Sequence, residues 1–270
     1  MLRRFATVIL ATLAFSMAAQ PVAIDEDILF PGTGPHVRPV VIQSGKAKQF
    51  FDQGLNFMYA FNHGEAKRSF RTATRLDPTS AMAWWGLAMA NGPHINNMTV
   101  MPEEEKEAVE SLNKAMSLIQ SARPADRALI RATVPRFKHP QPADRVPLNL
   151  AFANSMRRLW AQYPNDADIG ALFAEAMMDL SPWDQWYRDG KPKAGTLETV
   201  RTLERVMKVN PNHPLALHLY IHAVEASATP GRAEGAADRL RNLQPGLGHN
   251  VHMPSHLDVR LGNWRKAGYF

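Results

Sequence analysis

The sequence predicts an all-α chain built from helix-turn-helix repeats, and three observations carry that prediction. His218-x3-His222 recurs as His252-x3-His256, a displacement of 34 residues for both members of the pair, which is the period of one helix-turn-helix repeat. From Ala47 onward, large and small apolar residues fall at helical spacings (Phe50, Gly54, Phe57, then Ala66, Phe70, Ala73), as helices with one buried face require. Prolines stand where second helices should stop, at Pro78, Pro164 and Pro211, because proline lacks the amide hydrogen that continues a helix.

Taken in order, residues 1–19 read as a secretory signal. Arg3 and Arg4 give the positive start, Phe5 to Phe15 the apolar run, and Ser16-Met17-Ala18-Ala19 the small-residue cleavage site. The run is too short to span a bilayer, and no later stretch is apolar enough to do so. The mature chain is therefore expected to be exported, periplasmic or extracellular, without a membrane span. Residues 20–46 carry Pro21, Pro31, Gly32, Gly34, Pro35 and Pro39, which predicts an extended leader with no helix. His36, alone in this leader, is expected to be solvated.

The remainder, 47–270, divides into six helical pairs. The first spans 47–80. The second, 81–122, opens with Trp84, Leu87 and Ala88 and carries an insertion from Asn91 to Pro102. A more degenerate third pair covers 125–164. The fourth, 167–212, opens with Gly170, Phe173 and Ala174 and contains the loop Ser181 to Gly195. The fifth, 214–247, opens with Leu217 and Tyr220, and an incomplete sixth, 248–270, with Val251, Gly262 and Trp264. Because the chain ends inside the last pair with no polar cap, a further C-terminal part is expected.

This pattern resembles the tetratricopeptide repeat family, in which small residues at positions such as Gly54 and Ala66 let paired helices approach closely. Two stretches resemble, more narrowly, exported bacterial members of that family with no assigned activity: Ala81-Met82-Ala83-Trp84-Trp85-Gly86 and His252-Met253-Pro254-Ser255-His256. The resemblance implies a right-handed superhelix with a concave groove lined by the residue after each opening anchor and its neighbours four and seven further on. Carried over, the groove would hold Phe51, Met58, Trp85, Met89 and Met178 at an apolar end. Glu175, His218, His222, Glu225, His252 and His256 would follow toward the other.

Ten histidines and no cysteine leave imidazole and carboxylate as the main candidate metal ligands. Histidines four apart share a helix face, so the doubled pair predicts a zinc or copper site of His218, His222, His252 and His256. Glu225, Glu175, His249, His94 and His63 are additional candidates. Met89, Met178 and Met253 would matter only for Cu(I).

Other classes find less support. The net charge of +6 comes from Lys and Arg interleaved with Asp and Glu, with no basic stripe for nucleic acid. Leu219 after His218 breaks the zinc-protease His-Glu-x-x-His pattern. No Gly-x-Ser-x-Gly occurs, and Gln43-Ser44-Gly45-Lys46 lacks the upstream glycine of a P-loop. The expected function is an exported scaffold binding a protein or peptide in its groove, with a histidine-rich metal site. The rivals are a metal-free interaction module and a metal-dependent enzyme. Trp183 and Trp186 are expected to serve packing.

Overall fold

The computed structural model describes residues 27–268, so the signal-like segment 1–19 lies outside the described residues. Those residues form helices and no β-strand beyond two isolated bridges. The helices are α1 (Gly45–Tyr59), α2 (His63–Leu76), α3 (Ala81–Ala90), α4 (Pro102–Ser117), α5 (Pro124–Thr133) and α6 (Val146–Gln162). They continue with α7 (Ala167–Met178), α8 (Thr196–Val209), α9 (Pro214–Val224), α10 (Glu234–Leu240), α11 (Gly248–Arg260) and the single turn α12 (Trp264–Ala267). The architecture is an all-α stack of paired, antiparallel-connected helices, as expected for a helix-turn-helix repeat chain.

Local chemistry sets the starts of these helices. Ser44, Asn62, Ser80 and Asp166 each accept a backbone N–H from their own first turn, satisfying one of the orphan donors there. Pro102, Pro124 and Pro214 sit in first turns, where their missing N–H costs nothing. His213 is the cap of α9 through its own Nδ1, 3.3 Å from the Ala216 N–H. Inside α11, Pro254 interrupts the ladder between His252 and His256.

Glycines fix the close approaches. A Cβ on Gly54 of α1 or on Gly86 of α3 would fall 2.8 or 2.4 Å from the Phe70 ring of α2. One phenyl thus wedges between two successive inner helices. Gly170 of α7 repeats the device, since its Cβ would meet Val206 of α8 at 2.5 Å and Trp160 of α6 at 2.8 Å. The sequence spacing that marked these glycines therefore corresponds to one packing motif used twice.

The inner helices do more than stack. α1 touches α9 as well as its neighbour α3, and α9 also touches α7 and α11. The inner row thereby closes, and the expected open apolar groove is corrected: Phe51, Met58, Trp85, Met89 and Met178 are all at most 5% exposed. They seal against opposing helices, as when the Trp85 indole N–H donates to Thr133 Oγ1 of α5 at 2.9 Å.

The leader holds this closure. Its residues 27–44 have no helix and run across the unit, while Gly45 and Lys46, expected in the leader, already open α1. Arg38 is buried and donates to Asp126 of α5 and to Asp166 and Asp168 at the start of α7, at 2.8–3.2 Å. His36 is buried too, not solvated, with Nε2 2.9 Å from Asp168 Oδ1. Tyr59 O–H and His213 Nε2 reach the same oxygen at 2.7 and 3.2 Å. Burial pushes the Asp168 carboxyl up, but His36 and Arg38 beside it outweigh that and hold it well below the usual carboxylate range.

Replacing Arg38 by Met strands three carboxylates, so unfolding free energy should drop by about 3–5 kcal/mol, the cost of breaking a buried pair from one side. In the wild type, the depressed Asp168 contributes stability that is present above its unfolded value near 4 and lost on further acidification. Urea unfolding at pH 7 and in the acid range tests both points. A wild-type midpoint at pH 7 in the variant would refute the role of the strap.

Candidate metal centre

The histidine face is built by two inner helices lying side by side. His218 and His222 of α9 and its C-cap Glu225 follow one another at four and three residues; on α11, His249, His252 and His256 follow at three and four. Such spacings put each trio on one face. The hydrogen-bonding contacts, however, run at a separation of 31, while His222 and His256, 34 apart, meet only ring to ring. His249 Nε2 lies 3.0 Å from His218 Nε2, and His256 Nδ1 lies 3.0 Å from Glu225 Oε2. The offset is one helical turn. It goes with the turn before α11, which is moored to the leader: Gln244 Nε2 donates to Thr33 O and to Asn56 Oδ1, both at 2.8 Å, and Gly246 N–H donates to Gly32 O at 2.8 Å.

This stagger redistributes the four predicted ligands, which do not gather at one point. Among the described residues, His218, His222 and His249 bring one ligand atom each to within 4.8 Å of one another; His222, Glu225 and His256 do the same. His252, exposed, lies outside both groups: its Nε2 is 3.0 Å from His256 Nε2 and its Nδ1 3.2 Å from Ser255 Oγ. Glu175 belongs to none of these groups.

Hydrogen bonds decide which nitrogen each ring presents. His218 Nδ1 lies 3.1 Å from the Tyr59 carbonyl, so it carries the proton and leaves Nε2 as a lone pair. His222 Nδ1 donates to Glu225 Oε1 at 3.0 Å, and its buried Nε2 has no partner. Glu225 thus clamps His222 and His256 through both oxygens. This makes the second group a hydrogen-bonded orienting shell. Burial pushes the Glu225 carboxyl up, but the bonds from His222 and His256 prevail and bring it down to about 2. Burial lowers His218 well below the ordinary imidazole value and His249 to about 4, with neighbouring histidines adding to both shifts. The rings are accordingly neutral near pH 7, the form that binds metal.

Two strained aromatics flank the cluster. Phe61 and Trp183 are the only non-glycine residues with positive φ among the described residues, at 56° and 61°. Such strain concentrates at functional sites. The Phe61 ring lies 4.4 Å from His218, 4.5 Å from His94 and 5.7 Å from His249, centroid to centroid. Trp183 stands edge-on to His222 at 4.6 Å and donates its indole N–H to Ile95 O. Its expected packing role is therefore corrected: it is 51% exposed and ties the 91–101 loop to the histidine face. Trp186 does pack, its indole N–H bonding Ala223 O. The role of Phe61 was not visible beforehand; its position just before the Asn62 cap, in a three-residue interhelical turn, is the available signal.

His63 and His94 form a second pair beyond Phe61, with ring centroids 4.2 Å apart. His63 Nδ1 bonds Ala90 O at 3.1 Å, while His63 Nε2 and His94 Nδ1 are buried without partners. A cavity of about 440 Å³ opens here, walled by Ala60, Phe61, Asn62, His94, Asn96, Leu247, Gly248 and His249.

No protein-family profile matches the chain, and no curated protein matches it. Among solved structures, it is similar to YrrB, a TPR protein with an unusual peptide-binding site. The identity is 16%, covering 76% of this chain and 90% of that one, with a TM-score of 0.37.

Glu175 instead pairs with Asp179, one turn on at the end of α7, both buried; Asp179 Oδ2 accepts from Arg136 at 3.3 Å. Burial pushes Glu175 up to about 8, the Asp179 charge adding to the effect and Arg136 opposing it; burial likewise takes Asp179 to about 7. In the unfolded chain these carboxyls ionise near pH 4, so the folded state retains protons that the unfolded state loses. Their combined contribution to stability therefore falls as pH rises from about 4 to 8. Glu175→Gln should gain on the wild type between pH 5 and pH 8 in urea unfolding. A stability difference that does not change with pH would contradict this.

Proposed function

We propose that the chain is an exported helical-repeat protein that holds one divalent transition metal, zinc or copper, on His218, His222 and His249. The observation that carries this reading is the convergence of three imidazoles, two buried and one half-buried, in which His218 and His222 have already committed Nδ1 to oxygen acceptors. The Nε2 of His222 is left without a partner and that of His218 lies 3.0 Å from His249 Nε2, so the three rings face one position for a cation. A carboxylate or carbonyl behind each ring is the usual support for a metal-binding histidine. Three nitrogen ligands suit zinc or copper and leave a coordination position open, the arrangement of sites that act on a bound ligand rather than merely stabilise a fold.

His249 belongs both to this group and to the wall of the neighbouring cavity. A ligand in the cavity therefore has access to a metal held there, and about 440 Å³ suits a small molecule or the end of a peptide. A bound zinc or copper ion would supply a Lewis acid at that opening. The chain's own residues hold and orient: Glu225 fixes His222, the Tyr59 carbonyl fixes His218, and Phe61 and Trp183 screen the rings from water. Burial of the five apolar residues first placed in a groove favours this cavity over an extended peptide channel.

Metal analysis of the purified mature chain after gel filtration should find close to one equivalent of zinc or copper. His218→Ala and His222→Ala should each reduce it at least tenfold, whereas His139→Ala should not. Equal metal content in His218→Ala and wild type would overturn the assignment.

A further inference from the structure

We infer that His252 and His256 form a second, solvent-facing metal position that loads the buried centre. This deepens the reading above and rests on it for the destination of the metal, though not for the outer position itself.

His256 Nδ1 donates to Glu225 Oε2 at 3.0 Å, so the neutral ring keeps its lone pair on Nε2. The Ser255 hydroxyl donates to the His252 carbonyl at 2.7 Å, and its oxygen lies 3.2 Å from His252 Nδ1, where it can accept from the ring. The two Nε2 atoms stand 3.0 Å apart, within hydrogen-bonding reach of each other, so a cation bound between them replaces a shared proton. Two nitrogens bound side by side to one ion at roughly 2.0–2.1 Å stand about 2.9–3.4 Å apart, so the spacing already suits chelation. Side chains four apart on a helix make the pair, and water can fill the remaining positions.

The path inward is continuous. His252 is exposed and His256 half-buried. The His256 ring lies 5.5 Å from His222, a member of the buried group, and His222 lies 5.0 Å from His218. Glu225 sits between the two positions and bonds His222 and His256 at once. Its single negative charge offsets the repulsion that a metal passing from one position to the other would meet. The occupant is a late first-row divalent ion, for which imidazole is a suitable donor.

The test is a zinc titration of the full mature chain by isothermal calorimetry, joined to stopped-flow loading with a chromophoric zinc indicator. Wild type should bind two equivalents, one tight and one at least a hundredfold weaker. His252→Ala, an exposed substitution, should lose the weak equivalent, retain the tight one and fill it at least tenfold more slowly. His218→Ala should retain the weak equivalent and lose the tight one. A His252→Ala variant with two equivalents and wild-type loading would overturn the outer position. A tight equivalent untouched by His218→Ala would instead overturn the buried centre while leaving the outer position standing if its weak equivalent still vanishes in His252→Ala.

Discussion

The structure depends on the burial of one guanidinium. Arg38 lies in a segment without helix, yet its side chain is gripped by Asp126, Asp166 and Asp168 from two different helical units. A charge taken out of water at such cost is tolerable only when its donors are matched by acceptors in good geometry. Once matched, the leader becomes a strap that fixes α5 and α7 relative to α1. The effect reaches the histidines through Tyr59. Its hydroxyl donates to Asp168 in the strap cluster, and its carbonyl accepts from His218 in the histidine cluster. The charge cluster and the imidazole cluster thus share one residue, at opposite ends of its atoms.

The site itself is organised around tautomers rather than charges. Each of His218, His222 and His256 has an oxygen acceptor at Nδ1, so the direction in which its free electron pair points is set by the fold before any ligand arrives. That preorganisation has a cost. Buried nitrogens at His63, His94 and His222 are left without partners, each at about 1–3 kcal/mol of desolvation, and two aromatic residues hold left-handed backbone. The unpartnered nitrogens matter where they coincide with converging rings, at His222 and at the His63–His94 pair, and that coincidence is the physical reason to look for a ligand there.

The repeat architecture was legible because it is written in local spacing: Gly54 and Gly170 are small for the same reason, and both abut large side chains of flanking helices. The histidine face was legible as a face, since His218, His222 and Glu225 follow helical periodicity. Its partner residue was not. Positions 34 apart are equivalent in the repeat, but contact between α9 and α11 depends on their stagger, which is set by how Gln244 is tied to Thr33 and Asn56. That is tertiary information, and it brought His249 rather than His252 to the buried group. The closure of the inner row was hidden for a similar reason, because curvature accumulates over several units and no single spacing encodes it. His36 and Arg38 were hidden by context, as proline and glycine around them imitate a solvated loop.

Stacked repeats ordinarily fold as a line of neighbours, each unit needing only the next one. The strap changes that behaviour. Its contacts link residues 88 to 132 positions apart, and Gln244 reaches Thr33 across 211. Such closures carry an entropic cost that local stacking avoids, and they slow the search for the native state. The strap can therefore dock only once α7 has formed, and the ring closes only with the turn before α11. These contacts couple units that stacking alone would leave independent.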